Sequence, residues 1–414
     1  MQTQNTNNKF TRYQIFVIVI VAVLQFTIVL DFMVMSPLGD MLMKTLEIKP
    51  SQFGMIVASY ALSAMVSGLM AAGFADKFDR KRILLFFYVG FVGGTLLCGL
   101  ANTYEMLLIA RVVTGLFGGV IGALSMAIIT DLFPIEQRGR VMGFVQMAFA
   151  ASQVLGIPIS LFIANRWGWN SPFLMIVGFA ILVFVVIAIK LKPVNEHLKI
   201  KSERNVWQHL IHTISLKNYR AGFLATALLS LGGFMLMPFA SAFSINNLGV
   251  TPGQLPYVFM FTGISSIIIM PLIGKLSDKV DKFKIFTIGT IWAIVMVLVY
   301  TNMSAIPLWE VIILNVLLFM GIMSRMVPVT ALTSAVPEMK DRGAYMSINS
   351  SLQQGAGGIA AMLAGSIVVQ ETKNSPLQHF NWLGIVMAVI MVLCIYFVYR
   401  VDRIVKERIK VGGK

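Results

Sequence analysis

Apolar runs of about 18–25 residues, long enough to cross a ~30 Å hydrocarbon core, recur down this whole chain. In the first half they lie near 14–36, 52–74, 83–101, 105–130, 141–165 and 170–191. In the second half they lie near 220–244, 255–276, 284–301, 306–333, 343–370 and 380–400. In lipid a single segment satisfies its own backbone N–H and C=O groups only as a helix, so each run is expected to be a transmembrane helix. The pattern predicts an all-α membrane protein of twelve transmembrane helices in two pseudo-symmetric six-helix bundles.

The longest polar break runs from Lys192 to Tyr219 and is rich in Lys, Glu, Asn and His. It divides the chain into an N-terminal bundle (1–191), a linker (192–219) and a C-terminal bundle (220–414). Within the linker, NVWQHLIHTI places Val206, Trp207, Leu210 and Ile214 on one helical face, as an amphipathic helix lying at the membrane interface would. His209 and His212 sit on the same piece. They are expected to be solvated interfacial histidines, with a metal site the weaker alternative.

Composition agrees with the spans. The chain is 57% hydrophobic and 12% charged, against about 25% charged in soluble domains. The formal net charge of +15 would suggest nucleic acid in a soluble protein. Here roughly 27 of the basic residues gather in alternate loops and tails, the bias that marks the cytosolic side. The excess therefore reports topology and contact with anionic lipid, with both termini cytoplasmic in a plasma (inner) membrane, and no nucleic-acid partner. The polar start MQTQNTNNKFTR followed by a long apolar run reads as an uncleaved first helix. Cys98 and Cys394 each lie in an apolar span and imply neither a disulfide framework nor a zinc site. No phosphate-binding loop, metal spacing or nucleophile–histidine pairing is visible, so no enzyme activity, cofactor or metal is expected.

The halves repeat. GFADKFDRKR (Gly73–Arg82) and GKLSDKVDKFK (Gly274–Lys284) share a leading Gly and Asp-Lys-x-Asp followed by basic residues, with Asp76 and Asp278 202 positions apart. PIEQRGRVMGF from Pro134 pairs with PEMKDRGAYMS from Pro337 at nearly the same offset. A duplicated six-span unit with a central site is the natural account.

These residues resemble the major facilitator superfamily. GFADKFDRKR is similar to that family's loop between the second and third helices; Gly73, Asp76, Arg80 and Lys81 match, and Asp79 replaces a glycine. RVVTGLFGG from Arg111 resembles the fourth-helix motif of the drug/proton antiporter branch. AASQVLGIPIS loosely resembles its fifth-helix motif, with Ser152 at the first glycine and Ile157 inserted before Pro158. The resemblance implies a latch of Asp76, Arg80 and Asp131, with Gly73 and Lys81, that holds the halves together when the cytosolic side is closed. Gly274, Asp278 and Lys282 form the second-half copy, in which Ser334 stands in the place of Asp131. Simple positive-inside topology with solvated charges is the alternative. A carboxylate at Asp76 would also suit the N-terminus of the third helix.

An ionisable residue inside a span is costly and is a functional candidate by default. Asp31, Arg111 and Arg325 qualify. Counting about 1.5 Å per residue puts Asp31 about 25 Å along the first helix and Arg111 about 9 Å from the opposite face. The depths nearly coincide, in helices that line the central cavity of the family fold, so a proton-coupling Asp31–Arg111 pair is expected; a static ion pair is the alternative. Arg325 either meets substrate, pairs with backbone carbonyls or reaches the interface. The other cavity candidates are Gln25, Phe32 and Met35 on the first helix and Gln146 and Gln153 on one face of the fifth. Phe234, Met237, Asn349 and Gln353 complete them, with interhelical hydrogen bonding as the amides' alternative. Gly68, Gly115, Gly118, Gly119 and Gly122 permit close helix approach, and Gly156 and Pro158 should kink the fifth helix, as Pro328 should the tenth.

The reading is a secondary transporter that exports a small molecule in exchange for protons. Its alternatives are an uptake or facilitated-diffusion permease and, behind that, a non-transporting sensor or scaffold. Its partners are a small-molecule substrate, protons and membrane lipids, and the self-enclosed path of the family implies a monomer.

Overall fold

The structure is a computed structural model, describing residues 10–74, 77–195, 198, 206–338 and 341–412. Twelve long helical segments account for most of it. α1 is Arg12–Val34, α2 Pro50–Phe74, α3 Arg80–Leu100 and α4 Tyr104–Leu132. α5 runs Ile135–Ala151, widens into a π turn at Ser152–Gly156 and continues as Ile157–Trp167. α6 is Ser171–Lys190. α7 is Lys217–Phe234, followed by a short 3-10 turn at Met237–Phe239 and a last stretch, Ala240–Asn246. α8 is Leu255–Lys279, α9 Lys282–Thr301, α10 Leu308–Ser334, α11 Arg342–Ile367 and α12 Phe380–Gly412.

Eleven of these segments are long and apolar enough to cross a membrane. The exception is α11, whose apolar run is interrupted by Asn349, Gln353, Gln354, several serines and five glycines. It packs along α2, and an interior helix tolerates that polarity because protein rather than lipid surrounds it. Elsewhere the large apolar side chains point outward: Ile109 is 62% exposed, Leu182 65% and Ile189 75%. A soluble globule would bury them; a bilayer solvates them.

Two loop aspartates start helices by the same device. Arg82 N–H donates to Asp79 Oδ1 at 3.0 Å, and Lys284 N–H to Asp281 Oδ1 at 3.0 Å. Each is an N-cap that satisfies an orphan helix donor. They stand 202 positions apart, the offset of the repeat. The capping role expected of Asp76 thus belongs to Asp79, three residues on; Asp76 itself lies outside the described residues. The substitution of Asp79 for the family's glycine makes sense as a cap.

Small residues set how closely helices approach. A Cβ on Gly119 would meet the Ala64 carbonyl at 2.5 Å, so α4 seats its backbone directly on α2. Gly122, also expected at a close approach, faces open space. α10 carries Pro328 inside a helix that runs continuously from Leu308 to Ser334.

The linker helix Val206–Ser215 packs against α11 and α7. Leu210 and Thr213 face inward, whereas Ile214 is 47% exposed, so the buried stripe is rotated from the one expected. The side chains of Val206 and Trp207 lie outside the described residues. His209 is not simply solvated: its Nε2 is 3.0 Å from Asp341 Oδ1, and Tyr219 donates to Asp341 Oδ2 at 3.0 Å. Tertiary packing, absent from a single-helix periodicity argument, chose this face.

Candidate functional site: a buried ion pair and an apolar cavity

The end of the bundle carrying the α1–α2 and α7–α8 connections is tied across the halves by polar contacts between repeat-related positions. Ser241 Oγ donates to the Ser36 carbonyl at 2.8 Å, and Ser36 Oγ donates to the Met237 carbonyl. Asn246 Nδ2 donates to Asp40 Oδ1 at 2.6 Å, and Lys44 Nζ to Asn246 Oδ1 at 3.2 Å. Lys373 Nζ meets Glu47 at 2.5 Å, and this ammonium holds the Glu47 carboxyl below its usual range. Beneath these ties, a Cβ on Gly54 would meet the Ala361 carbonyl at 2.6 Å, so α2 and α11 touch backbone to backbone. The closed end is opposite the basic loops.

Under that closure lies a cavity of about 170 Å³. Its roof is Ser36, Pro37 and Met237, the residues that tie the end shut. Its walls are largely aromatic and methionine side chains, among them Phe234, Phe259 and Phe319, and Met323 and Met326. Polar groups are few: Ser230, Thr262, Asn315, Gln153 and Gln353. An adaptable apolar wall with scattered polar anchors is the usual form of a small-molecule site.

Several expected residues fall on it. Phe234, Met237, Gln153, Gln353 and Arg325 all line the cavity. Phe32 instead lines a smaller crevice with Phe234 and Met237, its ring centroid 5.3 Å from that of Tyr60. Met35 is fully buried in the core. Gln25 and Asn349 are half-buried and do not line the cavity, and Asn349 Oδ1 has no hydrogen-bond partner. The Gln146 side chain lies outside the described residues. Asn315 and Thr262 were missed; an amide inside the apolar run VIILNVLLF was the available signal for Asn315.

Asp31 and Arg111 meet. Arg111 Nη1 is 2.7 Å from Asp31 Oδ2 and 3.4 Å from the Asp31 carbonyl. Thr95 Oγ1 on α3 donates to Asp31 Oδ1 at 3.1 Å, and the guanidinium lies 4.4 Å from the Tyr60 ring centroid on α2. Arg111 Nε is enclosed without a partner. The pair does not line the cavity, as membership of cavity-lining helices had suggested; it is sealed among α1–α4. The reason is helical phase. Met33 lines the cavity, and two residues along an α-helix turn the side chain to nearly the opposite face, which puts Asp31 inside the N-terminal bundle. Tyr60 and Thr95, unremarkable in the sequence, complete this site.

At the basic end, Arg80 Nε donates to Asp131 Oδ2 at 3.1 Å, joining α3 to α4 within one bundle. Lys81 Nζ donates to the Ala188 carbonyl at 2.8 Å, where a cation suits the C-terminal end of α6. Gly73 lies in the last turn of α2. In the second half Asp278 is exposed, Gly274 faces open space and Lys282 begins α9. The pairing there falls instead to Asp281, whose Oδ2 is 2.6 Å from Lys406 Nζ, a hydrogen bond that holds the Asp281 carboxyl below its usual range. In α5, Gly156 ends the π turn and packs on Leu30, while Pro158 follows two residues later. Cys98 and Cys394 are buried free thiols, and no group of three or more metal-ligating side chains occurs among the described residues.

Comparison with known proteins agrees with this architecture. Multidrug resistance protein 2 of Bacillus subtilis (strain 168) is 24% identical over 65% of this chain and 68% of its own length. The uncharacterized MFS-type transporter YtbD of the same organism is 25% identical over 83% of this chain and 85% of its own. Among solved structures, a D-xylose-proton symporter superposes with a TM-score of 0.76 at 18% identity, covering 93% of this chain and 97% of that one, a likeness of fold alone. The family model of the Major Facilitator Superfamily matches residues 21–227 and again 222–414. A twelve-helix bundle that holds a cavity between repeat-related halves and matches this model over both of them is a transporter of the Major Facilitator Superfamily, to which the chain belongs.

Proposed function

We propose that the protein exports a small amphipathic molecule from the cytosol in exchange for protons by alternating access. The observation that carries this reading is the Asp31–Arg111 pair, two full charges with no more than 1% exposure inside the bundle that faces the cavity. A proton delivered to Asp31 would cancel the charge that Arg111 balances, releasing a guanidinium already short of one partner. That changes the packing of α1 on α3 and α4 and gives proton binding a mechanical output. With the basic loops taken as cytosolic, the ties at the opposite end are consistent with a form closed to the outside. Similarity to a multidrug resistance protein supports the export reading.

The decisive experiment is substrate-dependent proton movement in proteoliposomes, wild type against Asp31→Asn, over cationic, neutral and anionic compounds. Exchange expects coupled proton flow in wild type and none in the variant. Equal cargo flux in both without proton flow would leave Asp31 structural and favour a facilitator. One observation favours that second reading: the antiporter pattern in α5 is interrupted by Ile157, where the π turn ends.

A further inference from the structure

Arg325 is 1% exposed and faces the cavity wall from α10. It begins about 25 Å from the closed end of its helix, deep in the span. Its Nε donates to Thr290 Oγ1 at 3.3 Å, and Nη2 has no hydrogen-bond partner. The Phe286 ring lies 5.9 Å from the guanidinium carbon, and the neutral Cys394 thiol is a weak hydrogen-bond partner that supplies no countercharge; no ion pair reaches Arg325 among the described residues. This differs from Arg111, whose charge is balanced by Asp31 at 2.7 Å. A buried cation without a counter-ion is costly, and an enclosed donor without an acceptor adds to the cost. The cavity wall itself offers only neutral polar groups beside the guanidinium: Ser230, Thr262, Asn315, Gln153 and Gln353. The carboxylate that might have received a cationic cargo, Asp31, is turned away from the cavity and already occupied.

We infer that Arg325 is the anion-binding group of the cargo site, and that the transported class is an amphipathic organic anion carrying a carboxylate or a similar singly charged oxyanion on an apolar body. The anion meets the Arg325 guanidinium from the cavity side and supplies the missing countercharge, while the aromatic and methionine walls take the apolar body. A planar guanidinium suits a planar carboxylate better than an ammonium would. A cation placed here would face Arg325 with no acid in the wall to offset the repulsion. The inference rests on reading this cavity as the cargo site, but not on export or on proton coupling.

Binding to purified, detergent-solubilised protein tests it without any gradient. The probes are 2-naphthoate, the neutral 2-naphthamide and the cationic 2-naphthylmethylammonium, measured by calorimetric titration on wild type, Arg325→Gln and Arg325→Lys. Wild type is expected to prefer naphthoate over the amide by roughly ten- to a hundredfold, the range of a charge-assisted hydrogen bond. Arg325→Gln should lose that preference while still binding the amide, and Arg325→Lys should keep part of it. Tighter binding of the cation by wild type overturns the inference, and this comparison needs no variant, so it holds even if Arg325→Gln fails to fold. An unchanged naphthoate preference in folded Arg325→Gln overturns it as well. If none of the three probes binds wild type, the cargo reading of the cavity falls and the inference falls with it; normal transport of a neutral or cationic cargo through Arg325→Gln would sink the inference and leave export standing.

Discussion

Asp31 and Arg111, eighty positions apart, join at 2.7 Å in a pocket that excludes both solvent and the transport cavity. The ion pair and the cavity therefore occupy different faces of α1. Communication between them must pass through the helix itself, because Leu30 beside Asp31 packs on Gly156 of α5 while Met33 and Ser36 face the cavity. In the proposed exchange, proton and cargo would not compete for one group; each would bias the position of one helix.

Removing one member of this pair is more damaging than removing both. Asp31→Asn or Arg111→Met alone should cost about 3–5 kcal/mol, since each strands a buried partner. The double variant should recover a substantial part of that loss. Thermal unfolding of all four proteins in detergent gives the coupling directly, and additive losses would mean that the two charges do not depend on each other.

Closure at the end opposite the basic loops depends on backbone contact between α2 and α11. Gly54→Leu pushes a side chain into the Ala361 carbonyl, 2.6 Å from where Cβ would sit. Overpacking of this kind costs about 1–3 kcal/mol, charged here against one conformation rather than against the fold. The variant should favour the form open at that end. Labelling of a cysteine introduced at Ser36 by a membrane-impermeant reagent should rise in Gly54→Leu, and unchanged labelling would show that the contact does not hold the closure.

The polar ties at the same end should differ in weight. Asp40 has an 8% exposed side chain and accepts from Asn246 at 2.6 Å, whereas Glu47, 72% exposed, meets a Lys373 that is itself 55% exposed. Solvent and salt screen the second pair. Asp40→Ala should raise the same labelling at Ser36 by roughly tenfold or more, at a typical ~1.5–3 kcal/mol for a hydrogen bond to a charged group. Glu47→Gln should leave it unchanged, and equal effects would show that screening does not separate them.

The contact between the start of α9 and the end of α12 should respond to acid. Hydrogen bonding to Lys406 holds Asp281 below its ordinary range, so the contribution is fully present above the unfolded carboxylate value of about 3.9. It is lost as pH falls through the lower folded value. Hydrogen exchange at the last turns of α12 should accelerate across that acid window in wild type and show no such step in Lys406→Met. A step of equal size in both proteins would assign the acid response to other groups.

Much of the fold was legible because lipid imposes one rule on every span. Length and apolarity marked the spans, and two charges in apolar runs could be compared by depth alone. Orientation about each helix axis was not legible. α1 is apolar nearly all round, so no stripe told Asp31 from Met33; only packing of four helices around Thr95 and Tyr60 chose the face. The linker helix shows the same limit, since Leu210 and Thr213 were buried by α11 and α7 rather than by lipid. Arg325 was visible as a charge without a partner, but Thr290, which takes its Nε, is a common residue in an ordinary run. Asp79 was legible in type and misjudged in role, because a one-turn difference decides which loop aspartate reaches the helix N-terminus.

The π turn of α5 has a consequence for reading the chain's history of insertions. Ile157 N–H bonds back to the Ser152 carbonyl, five residues earlier, so this turn holds one residue more than an α-helical turn would. That surplus coincides with the residue by which AASQVLGIPIS exceeds its family pattern. A π turn takes up such a surplus as a local swelling of the helix. On that account, deleting Ile157 would turn the π segment back into an α-helical turn and draw Pro158 next to Gly156, the place of its counterpart in the pattern.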